Sequence, residues 1–245
     1  AAAAAEQKVG LQHCMSIPRF ALASLDYPYV TNARASDDYA TASPLEYNAG
    51  NLFPFGNTAV LFDALDLAPS KDGFWSTGPT QGEYTPVLPQ AGVLPQHHNS
   101  ELHALVATLS LGPVGFMDRL NLSANNDSTL GEYVNTSLLR RTCNAAGDLL
   151  QPARPVTITD ATLRRGSSPR DDALPARGHL WATHTELSLA DGGTARHYML
   201  LPMVLAKPFV LRFDDLYPRV SPNATASWLR RSGRAGPCAD GALAL

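Results

Sequence analysis

An α/β fold follows from two patterns in this sequence. Between residues 16 and 155, short β-like runs alternate with helix-period segments at the spacing of βα units. Beyond residue 155 the alternation stops, and two strand-like runs flank Asp191-Gly192-Gly193, a hairpin signal. The prediction is the later half of a (β/α)8 TIM-like barrel followed by a small antiparallel β domain. About four βα units fit in the first part, whereas a closed barrel takes about 250 residues. Four units leave an open parallel edge. The sheet is therefore expected to continue into an amino-terminal barrel half, supplied by the same polypeptide or by another chain.

The elements follow in order. Residues 16–25, SIPRFALASL, read as a helix capped by Ser16, with Pro18 in its first turn. YPYVTNAR reads as a short buried strand, and 36–56 as a loop. Residues 57–67, NTAVLFDALDL, read as a second helix, with Val60, Leu61, Ala64 and Leu65 on one face and Pro69 beyond its end. Ser100 is read as the cap of a third helix, which presents Leu102, Leu105, Val106 and Leu109. That helix stops at Gly112-Pro113, before the strand-like VGFM. The partial barrel is placed at 1–162, a linker at 163–178, and the β domain at 179–245. KPFVLRFDDLYP reads as another strand of that domain, and 221–245 as a poorly ordered tail.

Composition narrows the function. The chain has 245 residues, 44% of them hydrophobic and 17% charged, with a net charge of -3. That supports a sizeable core and gives no basic footprint for nucleic acid. No apolar run is long enough for a membrane-spanning helix, so no membrane span is expected. Cys14, Cys143 and Cys238 form neither a metal-ligand spacing nor a redox pair. His97, His98 and His103 invite a metal reading, but the i,i+5 spacing keeps His98 and His103 off one helical face, and no metal is expected. Asn121, Asn126, Asn135 and Asn223 each open an N-glycosylation acceptor pattern. They favour a secreted or cell-surface protein, with the cytoplasm as the alternative.

The chemistry gathers around "TNARASDDY" at 31–39, where Arg34 stands just before the adjacent carboxylates Asp37 and Asp38. Alone, this is a solvated turn in which Arg34 pairs with an aspartate. Downstream, Asp72 precedes Gly73, Phe74 and Trp75, and Asp118 follows the VGFM run. Asp72 reads either as a ligand or as a turn residue. Asp118 reads as a rim carboxylate or as a cap. His103 reads as a structural histidine.

In order and spacing, several segments resemble glycoside hydrolase family 36, in its raffinose synthase and seed-imbibition (alkaline α-galactosidase) branch. Arg34-Ala-Ser-Asp37-Asp38 is similar to that branch's R-x-S-D-D. The run from Pro69 through Asp72, Phe74, Ser76 and Thr77 to Pro79 is similar to its P-x-x-D-x-F-x-S-T-x-P. Leu102-His103-Ala104, leading to Ser110-Leu-Gly112-Pro113-Val114 and Asp118, is similar to F-H-A followed by S-G-G-P-V-Y-V-S-D. Leu138-Leu-Arg140-Arg141 and Gly147-Asp-Leu-Leu150 continue the likeness, which covers roughly 12–165.

The resemblance implies a retaining two-carboxylate reaction on α-galactosides that needs no cofactor. It places the acid/base in the Asp37-Asp38 pair, with Asp37 favoured. Arg34, Asp72, Trp75 and Asp118 would bind the carbohydrate. The family's nucleophile lies in an earlier K-x-D segment, and Gln7-Lys8-Val9-Gly10 has no such aspartate. The alternative is a catalytically inactive, glycosylated structural or interaction protein in an extracellular or cell-surface assembly.

Overall fold

The computed structural model of the chain describes residues 7, 9–14, 17–39, 53–77, 99–118, 134–164, 178–203, 205 and 210–218, together with the backbone of three short strands between 227 and 244. It is a mixed α/β structure. β1 (Leu11–His13), β2 (Val30–Arg34) and β3 (Ala68–Ser70) form a parallel sheet in sequential order. β2 pairs with both neighbours, with Asn32 opposite Gln12 on one side and Ala68 on the other. One step further along the chain, Phe74 bridges Phe116 in parallel, with Phe74 N–H donating to Gly115 and Met117 N–H donating to Phe74. Parallel pairing in sequence order requires a crossover after each strand, as the alternation of runs predicted. The described residues form no closed barrel.

The helices supply the crossovers, and their boundaries correct several expectations. α1 spans Pro18–Ala23 and runs into a 3-10 turn, Ser24–Asp26. Its cap position is Ile17, which makes no side-chain cap, and Ser16 lies outside the described residues. α2 begins earlier than predicted and covers Phe53–Ala64. Its buried face is Phe55, Ala59 and Phe62, while Val60 is exposed. The i, i+4, i+7 set that reaches the core thus includes residues assigned to the preceding loop. α3 spans Ser100–Thr108, and its cap is Asn99, whose side chain accepts from Leu102 N–H at 3.3 Å. Ser100 is instead the first helical residue. α3 buries His103, Ala104, Val106 and Ala107, and Leu105 points to solvent. A short α4, Thr136–Leu139, is capped by Asn135.

The turn after α3 is built on close approach. A Cβ on Gly112 would lie 2.6 Å from the Ser70 Cβ and 2.7 Å from its Cα, so only glycine fits against the end of β3. Leu111 beside it has φ of 67°, a left-handed conformation that costs a non-glycine residue about 1–2 kcal/mol.

The antiparallel part is a three-stranded sheet in the order β4 (Thr157–Ile158), β5 (His179–Ser188), β6 (Thr194–Met203). The hairpin predicted around Asp191-Gly192-Gly193 joins β5 to β6, with Ser188 opposite Thr194. Gly192 takes φ of 82°, and Asp191 Oδ1 accepts from Gly193 N–H at 2.9 Å. α5, Asp160–Arg164, runs two residues into the segment expected to be a linker, of which 165–177 lie outside the described residues. β7 (Val210–Arg212) falls where a strand was expected and pairs with β10 (Ala242–Ala244). β8 (Ser227–Leu229) pairs with β9 (Ala235–Pro237), so the tail carries strands.

The two sheets share one core. Trp181 of β5 and Met203 of β6 cluster with Val30 and Ala33 of β2 and with Phe55, Ala59 and Phe62 of α2. The Trp181 and Phe55 rings lie 5.9 Å apart. Aromatic and aliphatic burial of this kind is the main stabilising term, about 1.5–3 kcal/mol for each large side chain. A second cluster, Tyr39, Phe74, Trp75, Ala104, Ala107 and Leu138, packs α3 and α4 under the carboxyl ends of the parallel strands.

Candidate functional site

Parallel strands end together, so the residues that follow β2 and β3 meet at one edge of the sheet. Arg34 is the last residue of β2. Its guanidinium is 9% exposed and reaches two carboxylates, Asp38 at 2.5 Å through Nη2 and Asp72 at 3.1 Å through Nη1. Burial works against the charge on Arg34, but Asp72 and Asp38 outweigh it and hold the group above its ordinary value.

Asp72 is the centre of this network. Its Oδ2 accepts from the Tyr39 N–H at 2.8 Å, and its own N–H donates to Ser36 Oγ at 2.8 Å. These two bonds tie the turn after β2 to the turn after β3. Of the two alternatives for Asp72, the geometry is that of a turn residue whose oxygens are already engaged. Asp37 Oδ1 accepts from Asp38 N–H at 2.8 Å, and Ser36 Oγ donates to the Asp37 carbonyl at 3.1 Å. Among the described residues Asp37 makes no ion pair, and it is exposed. Asp38 is exposed as well, at 67%, and is Arg34's solvent-facing partner.

Asp118 is engaged by the main chain of the turn at Ser76. Both of its carboxylate oxygens accept from Ser76 N–H, at 2.9 and 3.2 Å. Ser76 Oγ in turn accepts from Asn135 N–H at 2.7 Å, so Asp118, Ser76 and α4 form one chain of contacts. Trp75 is 5% exposed and stands edge-on to Tyr39 with ring centroids 6.2 Å apart. It belongs to the second core cluster and offers little open face for stacking. His103 is buried, stacked on Phe74 at 5.8 Å and edge-on to Tyr39 at 5.1 Å, a structural placement.

Lys71 is the residue the sequence reading missed. It follows β3 directly, is 5% exposed, and donates from Nζ to the Asp72 main-chain carbonyl at 2.6 Å. Its ammonium lies over the Phe74 ring at 4.8 Å and the Tyr39 ring at 5.3 Å. Burial, only partly offset by Asp72 and reinforced by Arg34, lowers Lys71 to about 7. Burial also raises the Tyr39 phenol, with Asp118 adding to the effect. The signal available in the sequence was a lone lysine wedged between a strand and an aspartate-glycine turn.

Of the sequons, Asn135 is exposed, and its Oδ1 accepts from Leu138 N–H at 3.1 Å as the cap of α4. Asn121, Asn126 and Asn223 lie outside the described residues, as do His97 and His98. Among the described residues no group of His, Cys, Asp and Glu could hold a metal ion, and no helix is long and apolar enough to cross a membrane. Cys14 and Cys143 are free thiols.

No protein-family model, no curated protein and no solved structure matches the chain. The candidate site stands on its own geometry. That geometry is a buried, doubly paired arginine, an exposed carboxylate pair beside it, and a buried amine one strand away.

Proposed function

We propose that this chain is part of a carbohydrate-active, glycoside hydrolase-like protein acting on α-galactosides, with Asp37 as the acid/base and Arg34 and Asp38 contacting sugar hydroxyls. The observation that carries the reading is the convergence of Arg34, Asp37, Asp38 and Asp72 at the carboxyl ends of sequential parallel strands, where barrel enzymes keep their catalytic groups. Asp37 is the better placed of the pair, because Asp38 is engaged by Arg34. Two further points support the likeness to glycoside hydrolase family 36. The S-L-G-P and P-S-K-D segments meet in space, since Gly112 packs on Ser70. Leu111 stands where the family motif has its first glycine, and its positive φ is one that glycine favours.

A retaining reaction needs a nucleophile about 5–5.5 Å from the acid. In this reading it comes from an amino-terminal barrel half that adds strands beyond β1. Among the described residues β1 pairs only with β2. Beside it Ile17, Phe20, Leu22 and Leu25 of the α1 region are all at least half exposed, an apolar surface suited to such a neighbour.

The test is turnover of an aryl α-galactoside by the full-length protein and by Asp37→Asn and Asp38→Asn. General acid catalysis contributes about 10²–10⁴-fold. Asp37→Asn should therefore lose at least 100-fold in turnover (on the order of 10²), and Asp38→Asn should act mainly on KM. Equal activity in all three proteins refutes the assignment.

A second reading has one specific observation behind it. Asp72 and Arg34 satisfy each other, and Trp75 is closed into the core, as in a scaffold that keeps a polar strand end without chemistry. A full-length protein that neither turns over nor binds galactosides supports this inactive, glycosylated structural role.

A further inference from the structure

We propose that Lys71 is a carbonyl-reactive amine, which forms a Schiff base with the aldehyde of a short hydroxyaldehyde while Arg34 and Asp38 hold the neighbouring hydroxyl. The proposal does not rest on the glycoside reading, in which Lys71 plays no part.

The placement is what a nucleophilic lysine requires. A lysine amine becomes reactive when it is desolvated among apolar groups or set beside another cation. Lys71 has both conditions. Its Nζ is boxed by the faces of Phe74 and Tyr39, and its one hydrogen-bond acceptor here is a neutral carbonyl, that of Asp72. The charged and titratable groups facing it are Asp72, which favours the ammonium, and Arg34, which opposes it. Tyr39, whose phenol is held protonated by burial, and His103, stacked on Phe74, complete the surroundings. The net result is an amine lowered to about 7. Asp72 links the amine to the guanidinium: its carbonyl accepts from Lys71 Nζ and its carboxylate, 24% exposed, pairs with Arg34. Asp38, on the other nitrogen of that guanidinium, is 67% exposed, so an incoming hydroxyl at this edge meets a cationic donor and a carboxylate acceptor.

The chemistry balances without a further reactant. The Nζ lone pair attacks the aldehyde carbon as the C=O π pair moves to oxygen. A proton passes from nitrogen to that oxygen and gives a carbinolamine. Loss of water then leaves the imine, so one amine and one aldehyde become one imine and one water.

The chain has three lysines, Lys8, Lys71 and Lys207, so peptide mapping resolves them all. The full-length protein is incubated at pH 7 with glycolaldehyde and sodium cyanoborohydride, whose hydride reduces the imine to a stable secondary amine. An ordinary lysine titrates near 10.4, so at pH 7 its neutral fraction is about a thousandfold below that of Lys71. With most of this advantage given up to burial, Lys71 should still gain its hydroxyethyl group about tenfold faster than Lys8 and Lys207. Its labelling rate should reach half-maximum near pH 7, and the preference should vanish in urea. Lys71 left unmodified, or modified no faster than the other two in the folded protein, overturns the proposal.

Discussion

Replacing Gly56 by alanine tests the way the two sheets are joined, because the sign of the effect depends on it. Gly56 lies in α2, and alanine in a helix is favoured over glycine by about 0.5–1 kcal/mol. If the β5–β6 hairpin belonged to an independent unit, Gly56→Ala would stabilise the protein by that amount. In this structure an added Cβ would lie 2.5 Å from Trp181 Nε1, 2.6 Å from Cε2 and 3.1 Å from Cδ1. Trp181 is fully buried against Phe55. Overpacking of a tight core costs about 1–3 kcal/mol, and two indole atoms inside contact distance place this site near the upper value. After the helix gain is subtracted, a net loss of about 2 kcal/mol is expected, which lowers Tm by about 4–8 °C in a chain of this size. Urea and thermal unfolding measure it directly. Trp181→Phe removes the pyrrole part of the indole, so the double variant should lose less than the sum of the singles. A Gly56→Ala protein that is as stable as the parent, or more so, refutes the shared core.

Two further predictions follow from charge. Arg34→Met keeps the stem and removes the guanidinium, leaving Asp72 without its cation. Breaking a fully buried pair costs about 3–5 kcal/mol, but Asp72 is 24% and Asp38 67% exposed, so a loss of about 2 kcal/mol is expected in urea unfolding. A change below about 0.5 kcal/mol, the range of ordinary surface substitutions, refutes the organising role. His179 is 1% exposed, and burial lowers it from 6.5 to about 4. The unfolded chain therefore binds more protons between these values, so stability rises with pH across that window and is lost as pH falls from 6.5 towards 4. His179→Asn should flatten that part of the urea midpoint–pH curve, and an unchanged acid loss in the variant refutes the assignment.

The strand at Val30–Arg34 and the hairpin at Asp191-Gly192-Gly193 were legible because their signals are local, set by residues within a few positions. The short strands β1, β3 and β4 were not read as strands, and α3 ends at Thr108, four residues before the Gly112 expected to stop it. Helix faces were not legible in the same way. α2 and α3 carry apolar residues on more than one side, so of the faces read from periodicity Leu61, Leu65, Leu102, Val106 and Leu109 reach the core, Val60 and Leu105 are exposed, and Phe55, Ala59, Phe62, Ala104 and Ala107 are buried as well. Caps slipped by one residue where serine and asparagine stand side by side, as at Asn99-Ser100. The joint core was not legible, because Trp181 gives no sign in sequence of which helix it meets. The R-x-x-D-D and S-K-D segments marked the strand ends where Arg34, Asp38 and Asp72 meet. They said nothing of the roles of Ser36 and Tyr39, whose contributions are a hydroxyl bonded to Asp72 N–H and a main-chain N–H.

Those roles separate the rigid from the movable parts of the site. Asp72 is fixed by the Tyr39 N–H and by Arg34, and its own N–H by Ser36, so it sets where the guanidinium stands. Asp38 is attached to the same guanidinium through an exposed pair, and such pairs contribute only about 0–1 kcal/mol. A hydroxyl that displaces Asp38 from Nη2 therefore meets little resistance, whereas one that displaces Asp72 would have to undo the turn. In the proposed reading the ligand-facing surface is the Asp38 side of Arg34, with Asp37 beside it. In that reading a hydroxyl uses both the Nη2 of Arg34 and the carboxylate of Asp38, so binding should weaken when Asp38 is removed. Asp38→Ala is expected to bind sugar more weakly than the parent, and unchanged binding in a titration refutes the placement.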